Sequence, residues 1–179
     1  MIQYNFPTVM LYGSNAIQDL AKVVIGKKLK HLLLITDSGL IETGLANKVL
    51  HTFKNVGLNI EIYDGVHPNP IEEDVTAGVT AFKSGKFEAL VALGGGSAMD
   101  GGKAISLTVN SGIPLWDFEF LDKVPRDLKG TNPFPKLITI PTTAGTGAET
   151  EITAMVTDTK KGMKFCLWHP EARPCLALV

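Results

Sequence analysis

Three short apolar runs decide most of what this chain can become: "HLLLITD" at residues 31–37, "EALVALGGG" at 88–96 and "KLITIP" at 136–141. A strand whose successive residues are apolar has no polar face to give to water, so it must be covered on both sides. That is the situation of a parallel sheet layered between helices. The segments between the runs read as helices. Leu40, Ile41, Leu45, Val49, Leu50 and Phe53 share one face of a predicted helix that ends near Gly57, and Val75, Val79 and Phe82 mark a second that runs to Gly85. "LNIEIYDGV" at 58–66 supplies a further strand between them, and a third helix is expected over 98–109. "EITAMVTD", "MKFCLW" and "CLALV" add short strands towards the end of the chain. The alternation predicts an α/β fold, a doubly wound and mostly parallel sheet with helices on both faces, formed as one domain over residues 1–179.

With 179 residues, 45% of them hydrophobic and 20% charged, the chain can bury a sizeable core. A formal charge of -1 without any run of Lys or Arg excludes the electrostatic footprint of a nucleic-acid or anionic-membrane partner. The apolar runs are far shorter than the roughly 20 residues that span a bilayer. "MIQYNFPTVM" lacks the basic-then-apolar order of a secretory leader, so a cytoplasmic protein is expected. Cys166 and Cys175, the two cysteines, read as reduced core thiols. Residues 113–135, with four prolines, read as a long surface excursion.

Open parallel sheets bind ligands at the carboxyl ends of their strands. The loops leaving those ends are "TDSG" (36–39), "DGVHPNP" (64–70), "GGGS" (94–97) and "PTTAGTG" (141–147). Glycines let consecutive backbone N–H groups converge on a phosphate while the next helix offers the positive end of its dipole. Ser97 would add a hydroxyl or cap that helix. Tight turns use glycine without any ligand, but two such loops at strand ends together point to a nucleotide site, although neither matches the P-loop or the G-x-G-x-x-G fingerprint. Gly101 and Gly102, each disfavoured in a helix by about 1 kcal/mol relative to alanine, make sense if a ligand or another backbone approaches closely. Asp37 ends its strand, where it either accepts hydrogen bonds from a ribose or caps a helix. Asp100 and Lys103, three apart, either pair with each other or meet a ligand. Lys164 alone reads as a solvated edge residue. The 4 histidines are dispersed, with no metal-ligand spacing.

"GGGSAMDGGKA" (94–104) followed by "IPTTAGTGAETE" (140–151) resembles the paired signature of the iron-containing, group III alcohol dehydrogenases. "FPTVMLYG", "LLLITDSGLIETGL", "YDGVHPNP" and "VTDTKKGMKF" extend the resemblance along nearly the whole chain. The resemblance implies a Rossmann-like half that binds NAD, joined in the full-length enzyme to an all-helical half that holds iron or another divalent metal. On matching positions, Gly95, Gly96 and Ser97 would hold the pyrophosphate, Asp37 the adenosine ribose, and Asn69 the adenine side. Thr142, Thr143 and Thr146 would line the cleft, Lys164 would reach the nicotinamide ribose, and Asp100 would sit near the nicotinamide. Asp37 would favour NAD over NADP. The family's metal ligands would fall beyond Val179, so a truncated chain holding the cofactor domain alone, inactive by itself, is expected. The implied partners are a small alcohol or aldehyde and further copies of the chain. The implied reaction is hydride transfer between the alcohol and NAD with the metal as Lewis acid. A stand-alone nucleotide-binding module and a dehydroquinate synthase-like NAD enzyme remain the alternatives. The Gly101–Gly102 pair departs from the family pattern, where bulkier small residues are usual.

Overall fold

The computed structural model describes residues 7–120, 124–125, 127–129 and 132–179. Six strands, β1 (Val9–Leu11), β2 (His31–Ile35), β3 (Asn59–Tyr63), β4 (Ala89–Gly94), β5 (Lys136–Pro141) and β8 (Leu176–Leu178), form one sheet in the order β1-β8-β5-β4-β2-β3. Every pairing in it is parallel. The central strands β2 and β4 are set by Leu33 opposite Leu90 and Ile35 opposite Ala92. Because side chains alternate across a strand, the apolar runs split their residues between two cores. Leu33, Ile35, Leu90, Ala92 and Leu137 face α4 (Glu72–Gly85) and α5 (Gly96–Val109), whereas Leu32, Leu34, Val91, Leu93 and Ile138 face α1 (Ile17–Gly26) and α3 (Leu45–Asn55). This is the doubly wound, Rossmann-like arrangement expected from the continuous apolar runs.

β6 (Thr153–Asp158) and β7 (Met163–Trp168) form an antiparallel hairpin outside the main sheet. Ala154, Val156 and Leu167 bring it into the same core as Met99 and Ile105 of α5. The loop after β3 is tied to this hairpin, since the Thr157 N–H donates to the Pro70 carbonyl at 2.7 Å.

Four local expectations change. The single helix expected from Leu40 to Phe53 is broken into α2 (Ser38–Glu42) and α3, because Gly44 adopts a left-handed φ of 77° that ends one and starts the other. Ile17–Gly26 forms a helix that the alternation of runs does not announce. Residues 113–135 are not a surface excursion throughout. The 3-10 turn Leu115–Phe118 buries Phe118 completely, and Phe118 meets Phe134 and His169 edge-on. Both cysteines are unbonded thiols, half-buried rather than in the core. Phe6, the first residue of the "FPTVMLYG" segment, lies outside the described residues.

Candidate functional site

From β2 the chain steps outward to β3 and then returns to place β4 on the other side of β2. This reversal opens a crevice at the carboxyl ends of β2 and β4, the position where doubly wound sheets take ligands. Here it is an open cleft of roughly 700 Å³, lined by Asp37, His67, Gly95, Gly96, Ser97 and Thr143, among others. Its size lies within the range of small-molecule sites.

Gly94 makes the sharp exit from β4 at a φ of 148°, which side chains rarely adopt, and a Cβ there would sit 2.6 Å from that of Ala98. The next two glycines have a different cause. Gly95 is the N-cap of α5 with an ordinary φ of -75°. An added Cβ at Gly95 would meet only Thr143 at 3.3 Å, and at Gly96 only Thr146 at 3.5 Å. The fold therefore leaves open the space directly over the first turn of α5, whose N–H groups have no intrahelical acceptor and carry the positive end of the helix dipole. An anion is the natural occupant of such a cradle. The helix starts at Gly96, two residues before its expected start, so Ser97 is not the cap. Its Oγ instead accepts from the Asn69 N–H at 3.1 Å.

Asn69 sits in the left-handed region at φ 59°, a conformation asparagine tolerates. Its Oδ1 accepts from Lys164 Nζ at 2.8 Å. Lys164 projects from the exposed start of β7, so Ser97, Asn69 and Lys164 form one chain of contacts joining helix, loop and hairpin beside the cleft. Asp37 caps α2, its Oδ1 accepting from the Leu40 N–H at 3.0 Å, and lines the cleft as well. Thr143 lines the same cleft. Thr146 packs against Gly96 with its methyl, and its Oγ1 accepts from the Ala148 N–H at 3.3 Å. Thr142 donates its N–H to the Gly94 carbonyl at 2.9 Å and lines a separate cleft of about 360 Å³ beside Leu45, Ile140 and Leu178.

Asp100 and Lys103 pair with each other. Lys103, with 1% of its side chain exposed, reaches Asp100 Oδ1 at 3.3 Å and donates to the Thr153 carbonyl at 2.7 Å. Burial pushes the Lys103 ammonium down and the Asp100 carboxyl up, and the attraction between the two opposes both shifts. Burial, with the Asp100 charge second, also raises the Cys166 thiol. Gly101 and Gly102 lie against the protein and not the cleft. A Cβ at Gly102 would meet the Ala92 Cβ at 2.8 Å, and one at Gly101 would meet the Val66 methyls at 3.1 Å.

Sequence reasoning passed over Asp74 and His67. Asp74, 4% exposed, accepts from the Ile71 N–H at 3.2 Å and the His67 N–H at 3.0 Å through Oδ2, while Oδ1 meets His67 Nδ1 at 2.7 Å. An aspartate three residues into a helix, bonding back to the chain before it, is a capping pattern. "NPIEED" carries that signal in the sequence.

Residues 7–179 match the sequence profile of the iron-containing alcohol dehydrogenases. The chain belongs to that family. It is 36% identical over 163 residues to the choline dehydrogenase of Bacillus subtilis, a match covering 90% of this chain and 40% of that protein. It is 31% identical over 184 residues to the NAD-dependent methanol dehydrogenase of Bacillus methanolicus, covering 100% of this chain and 45% of that one. The crystal structure of a 1,3-propanediol oxidoreductase superposes with a TM-score of 0.87 at 31% identity, over 99% of this chain and 45% of its own. The chain thus spans less than half the length of these relatives. The family name implies iron, yet no three His, Cys, Asp or Glu side chains gather to hold a metal ion among the described residues. Those residues do not fit a metal site. Among the described residues no helix is long and apolar enough to cross a membrane.

Proposed function

We propose that the cleft binds NAD and that the chain is the dinucleotide-binding domain, over residues 1–179, of a dehydrogenase acting on small alcohols or aldehydes. The observation that supports this most is the cradle at Gly95 and Gly96, where the first turn of α5 faces space that the fold leaves empty. The first-turn N–H groups would receive the pyrophosphate, joined by the Ser97 hydroxyl. Asp37 would accept hydrogen bonds from the adenosine ribose hydroxyls, and Asn69 would bound the adenine side. Thr143 and Thr146 would frame the opposite wall, with Lys164 reaching towards the nicotinamide ribose and Asp100 behind it, whereas Thr142, expected on that wall, lines the separate cleft. Bound NAD would supply the hydride acceptor for the carbinol carbon of the substrate. The role of this chain is to position that acceptor and to keep its phosphates out of bulk water.

Family membership and the names of the relatives support the dehydrogenase reading over a stand-alone nucleotide module. A homo-oligomer accords with edge strand β1, whose Val9 and Met10, with neighbouring Tyr12, are exposed apolar residues at 53%, 43% and 86%. A cytoplasmic setting accords with two unbonded cysteines. Calorimetry with NAD and NADP tests the cofactor reading. NAD should bind at least about tenfold more tightly, because the Asp37 carboxylate opposes a 2′-phosphate. Asp37→Gly should narrow the ratio, and equal affinities in the parent chain would remove Asp37 from this role.

A further inference from the structure

Among the described residues lining the cleft, Asp37 and Asp64 carry negative charge, no Lys or Arg is present, and one side chain, His67, can become cationic. The dipole of α5 offers a pyrophosphate partial positive charge at Gly95 and Gly96, and His67 is the lining residue that could add a formal one. His67 is also the only side chain there held by a buried charge. Its ring is 68% exposed, while the Asp74 that grips it is 4% exposed. A carboxylate can only accept, so His67 Nδ1 is the donor in the 2.7 Å contact with Asp74 Oδ1. Nε2 is therefore the ring nitrogen not engaged by Asp74.

The groups facing this imidazole can be named. Asp74 meets it from α4 at 2.7 Å, Asp64 lies three residues before it on the same loop, and Asp37 lines the same cleft. The Tyr63 hydroxyl donates to the Asp74 carbonyl at 2.7 Å and does not reach the ring in these contacts. Lys164 is committed to Asn69, two residues along the loop. Asp74 contacts the ring, two further carboxylates line the same cleft, and an anion at the Gly95 cradle would add to that negative charge. Asp74 also accepts from the His67 and Ile71 N–H groups, so one carboxylate fixes both the ring and the loop that carries it.

The geometry points to His67 as an anion-contacting residue that takes up a proton when the dinucleotide binds, with Asp74 as the residue that positions it. This rests on the cofactor reading above and adds a formal cation beside the α5 dipole. Over pH 6–8 an imidazole changes charge, whereas the phosphodiester oxygens and adenine of NAD do not. Any change in NAD affinity over that range therefore belongs to the protein.

Calorimetry of NAD at pH 6 and pH 8, in two buffers of different ionisation enthalpy, reads both affinity and proton uptake. The parent chain should bind about fivefold more tightly at pH 6, with a fraction of a proton taken up at pH 8. His67→Gln should lose both effects while still binding NAD. Asp74→Asn should weaken them, with circular dichroism recording whether the fold is kept. Inorganic pyrophosphate at pH 6 separates the two readings: it should bind the parent chain more tightly than His67→Gln. NAD binding with an unchanged pH dependence in His67→Gln would overturn the role of His67 and leave the cofactor reading standing. Pyrophosphate binding that depends on His67, without NAD binding, would do the reverse. Binding of neither ligand would overturn both.

Discussion

Helix α5 carries two pairs of glycines six residues apart, and they serve opposite ends. Gly95 and Gly96 open onto the cleft, where an added Cβ would meet nothing closer than 3.3 Å. Gly101 and Gly102 are pressed onto Val66 and Ala92, where an added Cβ would arrive at 3.1 and 2.8 Å. One pair keeps space empty for something that is not protein, and the other removes space so that the helix can lie close to the sheet. Identical residues in one helix are thus separable by what a single methyl would strike. The inner pair offsets its helix cost by letting α5 approach β4 at Gly102 and the loop after β3 at Gly101. The outer pair, at least at Gly96, has no steric requirement from the fold.

The comparison breaks most visibly with Gly102→Val. An isopropyl group, whose Cβ alone would already sit 2.8 Å from that of Ala92, forces α5 off the sheet, and the loss should be about 3 kcal/mol or more, read as a collapsed urea midpoint. A midpoint within error of the parent would show that α5 does not rest on this contact.

Lys103→Met probes the buried body of the same helix by charge. It leaves Asp100, whose side chain is 16% exposed, without its partner. The expected cost at pH 8 is about 2 kcal/mol, below that of a fully buried orphan because Asp100 keeps some water. Burial already raises the Asp100 carboxyl, and losing Lys103 raises it further. A raised folded-state value means that the folded chain holds the proton more tightly. The deficit should therefore shrink as pH falls towards 5 and be fullest above the raised value. A deficit that does not vary with pH would assign the loss to packing alone.

Tyr63 stands where the cleft loop meets the core, and it sharpens the boundary with the smallest effect. Its hydroxyl is pushed up to about 12 by burial first, then by the charges of Asp74 and Asp64. The stability this contributes is present below the unfolded value of 10.0 and is lost as pH rises through about 12. Because the side chain is only half-buried, solvent screening reduces the contribution to roughly 1 kcal/mol. Tyr63→Phe should be less stable than the parent by that amount at pH 9, and the gap should close by pH 12. A gap that widened with pH would contradict the assignment.

What could be read from the sequence follows from which forces act locally. Strands covered on both faces announce themselves as unbroken apolar runs, so the interior strands β2, β4 and β5 were legible and with them the cleft-bearing carboxyl end of the sheet. The Gly95–Gly96 loop was legible for the same reason, as the end of such a run. The break at Gly44 was hidden because Leu40, Ile41, Leu45 and Val49 keep helical spacing across it, and only a backbone angle separates the two helices. The reason for Gly101 and Gly102 was hidden too, because Ala92 and Val66 lie nine or more positions away in sequence and meet them only in the fold. Asp74 was available as a capping signal, but its grip on His67 depends on how the loop after β3 folds back.

The central claim is that the outer glycines of α5 keep room for a ligand and not for the fold. Gly96→Val tests it directly, with far-ultraviolet circular dichroism, a urea midpoint and NAD calorimetry on the same preparation. The Gly96→Val chain should keep a parent-like spectrum, lose no more than about 1 kcal/mol of stability from the urea transition, and bind NAD at least about a hundredfold more weakly, because the new methyls occupy the cradle. Parent-like NAD binding in a folded Gly96→Val chain would contradict it, making the cradle a structural turn with no ligand of its own.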